Sequence, residues 1–124
     1  MNEPEATMHD NQPEREFEAL ERAIEGASIA LDLARRVQAP LKSIADQLIR
    51  SANSVPANLA EGHGRSGRDR LHFWRIAYAS AKEVDSHLRL LAHARAVNAN
   101  GAQTAVLLFD EVRAMTWRLL HPRL

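Results

Sequence analysis

Three breaks divide this chain into four apolar stripes, a pattern that leaves few folds open. Phe17, Leu20, Ile24, Ala27, Leu31 and Ala34 recur at alternating spacings of three and four, the signature of one face of an α-helix. Pro13 suits the first helical position, and Glu14 and Glu16 complement the positive end of the helix dipole. Val37-Gln38-Ala39-Pro40 ends this helix, because the residue before a proline avoids the α conformation. Leu41, Ile44, Ala45, Leu48, Ala52, Val55 and Leu59 then mark a second helix to about Glu61. Pro56 lies inside it; the missing N–H and the clash with the Ala52 carbonyl predict a kink. Gly62-His63-Gly64 stops the second helix and opens a turn.

A third helix is announced by Ser66 and Asp69, spaced as a capping pair. Its stripe runs through Leu71, Trp74, Ala77, Tyr78, Ala81, Val84, Leu88 and Leu91 to about Val97. That makes it roughly 45 Å long and the longest element expected. Asn98-Ala99-Asn100-Gly101 reads as the next turn, and Leu108, Val112, Met115 and Leu119 mark a fourth helix that Pro122 closes. Four helices joined by short turns predict an all-α, antiparallel up-down-up-down four-helix bundle over residues 13–124, with a proline kink in the second helix. Ile24, Leu48 and Leu88 are its expected core positions. Residues 1–12 lack apolar periodicity and are expected to form a disordered acidic tail. Phe73, Ile76 and Leu90 lie off the main stripe of the third helix, which predicts contacts between subunits of a homo-oligomer.

The 124 residues fit one domain and include no cysteine, so disulfides, thiolate metal sites and a thiol nucleophile are excluded together. The polar, acidic start does not resemble a leader peptide, and no run approaches the ~18 apolar residues of a membrane span. A soluble, cytoplasmic protein without a membrane partner is expected. Net charge is zero but unevenly placed: residues 1–38 carry nine acidic and four basic side chains, residues 65–98 three and seven. A chain polarised in this way can present a basic face despite its neutral pI.

Gly62-His63-Gly64-Arg65-Ser66-Gly67 spells G-x-G-x-x-G, but a dinucleotide site needs a strand before it, and here a helix precedes it. Bundle metal sites need Glu-x-x-His motifs on two helices, and this chain has none; Glu83 and His87 stand alone as a pair. Gly64-Arg65-Ser66-Gly67 is one residue short of a nucleophile elbow. No catalytic site, metal or cofactor is therefore expected. Trp74, Tyr78 and Trp117 could stack bases, although aromatics at helical spacing are more often core. The remaining cluster is Arg65, Arg68, Arg70 and Arg75, which suits phosphate contacts made without sequence readout. The same arginines could instead pair with Glu14, Glu18, Glu21 or Glu25 of the acidic first helix, in the same or a neighbouring subunit.

The run Gln47-Leu48-Ile49-Arg50-Ser51-Ala52-Asn53-Ser54-Val55-Pro56-Ala57-Asn58-Leu59-Ala60-Glu61-Gly62-His63-Gly64-Arg65 resembles the signature of the 23S rRNA-intervening sequence protein family. Arg70-Leu71-His72-Phe73-Trp74-Arg75-Ile76-Ala77-Tyr78-Ala79-Ser80-Ala81-Lys82-Glu83 is similar to that family's third helix, and the similarity extends over roughly residues 15–120. The resemblance implies a four-helix bundle and a homopentameric ring. It further implies kinship with the accessory variability proteins of diversity-generating retroelements, basic pentamers that bind nucleic acid and a reverse transcriptase. RNA or DNA and a nucleic-acid enzyme are thus the partners the resemblance suggests.

Overall fold

The computed structural model describes residues 3–122, with side chains described from residue 11. Among the described residues the chain forms four helices: α1 (Glu3–Ala34), α2 (Lys42–His63), α3 (Gly67–His93) and α4 (Ala99–Leu120). α1 packs on α2, α2 on α3, α3 on α4 and α4 back on α1, so α1 and α3 stand across a diagonal. Residue numbers rise along one helix as they fall along its neighbour. Leu59 and Ser54 of α2 bond Trp74 and Ser80 of α3, and Gly26 and Leu33 of α1 meet Phe109 and Gly101 of α4.

The boundaries depart from the sequence reading in instructive ways. α1, at 32 residues, is longer than α3, at 27, and Pro13 lies inside it. Of the expected tail over 1–12, residues 1–2 and the side chains of 3–10 lie outside the described residues. α2 continues through Pro56 to His63, so Ser54-Val55-Pro56 is helix and not a turn. Ser66 takes the extended conformation of an N-cap, yet its side chain makes no capping bond. The working cap is instead Asn98, whose side-chain oxygen accepts from the Gly101 N–H at 2.8 Å; the expected 98–101 turn is already the first turn of α4.

Leu48 and Leu88 are fully buried, together with Trp74, Phe109, Leu91, Val55, Val84 and Val112. Ile24 is not. α1 turns Ala19, Ala23, Gly26, Ala27, Ala30 and Ala34 inward and leaves Phe17, Ile24 and Leu31 exposed at 62%, 48% and 40%. The stripe read from spacing therefore divides: Ala27 and Ala34 are buried and Leu20 packs against the core, whereas Phe17, Ile24 and Leu31 face out. The cause is steric: a Cβ on Gly26 would stand 3.0 Å from the Phe109 ring, so along this stretch α4 supplies the bulk and α1 offers small groups, whereas nearer its end Leu33 of α1 fills the space over Gly101.

Candidate interaction surfaces

The arginine cluster separates into side chains held by the fold and side chains that face out. The last carbonyls of α2 have no partner within their own helix; that of Gly62 accepts from the Arg65 N–H at 3.1 Å, and Arg70 reaches back from α3 to add further donors. Its Nε donates to the Gly62 carbonyl at 3.1 Å and its Nη2 to that of His63 at 3.0 Å. The guanidinium also lies 5.2 Å from the Trp74 ring centroid and 3.9 Å from the Glu16 carboxylate. Arg65 is bound to Glu61 at 2.8 Å, lies 3.9 Å from Asp69, and sits over the Phe73 ring. Arg70 is thus a structural clamp and Arg65 a partly committed one.

Arg68 and Arg75 differ. Both are exposed, and no carboxylate partner is found for either among the described residues. They are seven residues apart, two helical turns, and the same step leads to Lys82 and Arg89, both exposed. These four cations form a ridge along the outer face of α3, about 10 Å between neighbours. Arg89 is bound to Asp85 at 2.7 Å, and that hydrogen bond and charge raise its pKa. Lys82 and Arg89 escaped the sequence reading because they fall outside the dense stretch of arginines; the seven-residue step was the signal.

Across the diagonal, α1 shows the opposite sign. Glu14, Glu18, Glu21 and Glu25 are exposed and Asp32 half-exposed along its outer side. Hydrogen bonding from Arg35, then the charge of Arg36, holds the Asp32 carboxyl below its ordinary value. α1 meets the cluster through an ion pair of Arg70 with Glu16, a buried carboxylate that also accepts from Gln12 at 3.0 Å and meets His63 Nδ1. Glu16 stands on the alanine face of α1, a placement that dipole arguments at the helix start could not show.

The other motifs resolve simply. Gly62 closes against Trp74, while Gly67 takes a positive φ of 61° where the chain enters α3. Glu83 and His87 form a surface pair at 3.2 Å, and no group of three or more metal-ligating side chains occurs among the described residues. Trp74 is core, whereas Trp117 is exposed and stacked on His121 at 4.1 Å. No helix among the described residues is long and apolar enough to cross a membrane.

Among solved structures, a protein of unknown function from the S23 ribosomal protein family of Bacteroides thetaiotaomicron has the same fold, with a TM-score of 0.77 at 19% identity. The likeness covers 86% of this chain and 97% of that one. No curated protein matches the sequence. The sequence profile described as 23S rRNA-intervening sequence protein matches residues 15–118, and the chain belongs to that family.

Proposed function

We propose that this protein is a non-enzymatic, homo-oligomeric helical-bundle scaffold that acts by assembling. The observation supporting this is the row Phe17, Ile24, Leu31: three large apolar side chains, one every two turns, pointing away from the bundle. Scattered exposed apolar residues are ordinary, but an aligned row on one helix marks a surface that another protein covers. Five copies is the number that the family resemblance implies. Size exclusion with light scattering tests the reading. The expected mass is a multiple of 13.9 kDa, and Phe17→Ser, Ile24→Ser and Leu31→Ser together should return it to a single chain with helicity intact. A wild-type mass of 13.9 kDa at micromolar concentration removes this reading.

A second role, contact with the phosphate backbone of RNA or DNA, is favoured by the exposure of Arg68 and Arg75. A nucleic-acid enzyme would then be the natural third component. Such binding is indifferent to sequence and weakens steeply with salt, because each neutralised phosphate releases counterions. Gel retention at about 50 mM salt, lost on Arg68→Gln with Arg75→Gln, is the expected result; no retention of the wild type would end this role.

A further inference from the structure

Resting on the self-assembly reading, we propose that the surface covering α1 is α3 of a second copy, docked side by side and in the same direction.

Three relationships carry this. The first is sign: the outer face of α1 carries Glu14, Glu21, Glu25 and Asp32, and the outer face of α3 carries Arg68, Arg75, Lys82 and Arg89. The faces are diagonal in one chain, so these ridges cannot meet within it.

The second is order across each face. On α1, Gly26 and Arg22 mark the flank turned to α4, and at 100° per residue Phe17, Ile24 and Leu31 fall on the other flank, toward α2. On α3, Ser80 meets Ser54 of α2, and Ile76, exposed Glu83 and exposed Leu90, seven residues apart, fall on that same flank. From the α2 side to the α4 side, the outer face of α1 thus reads as an apolar row followed by an acidic row, and that of α3 as the mixed row Ile76, Glu83, Leu90 followed by a basic row. α1 and α3 also run the same way, each being antiparallel to α2. A neighbour rotated about an axis along the bundle therefore sets Ile76 and Leu90 on the apolar row of α1, with Glu83 between them, and acid on base. Reversed docking would set the acidic row of α1 against Glu83 and the basic row of α3 on Phe17, Ile24 and Leu31.

The third is level. The Arg70–Glu16 contact places position 70 of α3 beside position 16 of α1. Two residues back on each, Arg68 is level with Glu14; five residues on, Arg75 is level with Glu21. Lys82 and Arg89 each come within one turn of the levels of Glu25 and Asp32, and Ile76 within one turn of that of Ile24. Rotation about the bundle axis preserves these levels between copies. Because the two contacting faces differ, the interface is heterologous, and its repetition closes a ring or runs on as a filament.

Two experiments test the pairing. Arg75→Glu with Lys82→Glu, and separately Glu21→Lys with Glu25→Lys, should each weaken assembly at least tenfold while helicity and melting stay as in the wild type. All four substitutions in one chain restore the match and should restore the wild-type mass. The absence of native cysteine permits a second trap: Glu21→Cys with Arg75→Cys should give a disulfide-linked ladder of chains under oxidation, since the two positions lie on opposite sides of one bundle. A monomeric wild type overturns the assembly reading itself. An assembled wild type whose charge-reversed forms keep their mass, or whose fourfold variant stays dissociated, overturns the α1–α3 pairing alone, as does the absence of a ladder. Intact assembly with lost RNA retention in Arg75→Glu/Lys82→Glu would assign the ridge to nucleic acid and also overturn it.

Discussion

Gly62 and Trp74 occupy one another's space so closely that a Cβ added to Gly62 would lie 2.4 Å from the indole. The same indole points its N–H toward the Leu59 carbonyl at 3.4 Å, so the end of α2 and the start of α3 are joined through a single ring. Gly62→Ala should cost about 1–3 kcal/mol by overpacking, measured from urea midpoints at constant slope. A neutral result would mean that α3 can draw back from α2 freely.

Core and surface can be separated by comparing Leu48 of α2 and Leu88 of α3 with Ile24 of α1. Leu48→Ala and Leu88→Ala should each cost about 2–5 kcal/mol, since both side chains are fully buried. Ile24→Ala, on the outer face, should cost less than about 1 kcal/mol in a protein diluted to single chains. Equal losses at all three positions would place Ile24 in the core after all.

The arginines should divide by partner. Arg70→Gln removes the donors to two α2 carbonyls and should cost about 1–3 kcal/mol. Arg68→Gln and Arg75→Gln should leave thermal unfolding of the single chain within about 0.5 kcal/mol of the wild type. A large loss at Arg68 would reveal a structural partner for it.

Pro56 leaves the Ala52 carbonyl without its usual donor, so the axis of α2 should bend between these residues. Residual dipolar couplings for the two halves of α2 report the angle. A common alignment on both sides of Pro56 would refute the bend.

Asp32 supplies a pH signature. Its folded-state pKa is lowered by Arg35 and Arg36, so the folded chain binds this proton less tightly than the unfolded one. The resulting stabilisation is present above the unfolded-state pKa, about 4, and is lost as pH falls through the folded value. The stability gap between wild type and Asp32→Asn should therefore be widest near neutrality and narrow in acid. A gap of constant size down to about pH 2 would contradict the assignment.

Helix number and order were legible because each stripe is bounded by a residue with a local effect, Pro40, Gly64 or Asn98, although the last of these proved to be a helix cap and not the start of a turn. The inward face of α1 was not. Phe17-Ile24-Leu31 and Ala19-Ala23-Ala30 are both periodic at helical spacing, and hydrophobicity alone favours the larger set. Only the distance to Phe109 of α4, set by tertiary packing, selects the smaller one. The arginine cluster was legible as a neighbourhood on the chain. The roles of its members depend on Gly62, His63 and Glu16, which the fold brings to Arg70 from two other helices.

An inner face made mostly of alanines, with Leu33 near its end, has a consequence for how the molecule opens. Each buried methyl contributes far less transfer free energy than a leucine or tryptophan side chain, so α1 is held to its own bundle more weakly per turn than α3 is. Sub-global opening should begin there, with α1 amides exchanging with solvent ahead of those in α3 around Val84 and Leu88. Covering Phe17, Ile24 and Leu31 would then slow that exchange, making the last step of folding for this helix an event between molecules.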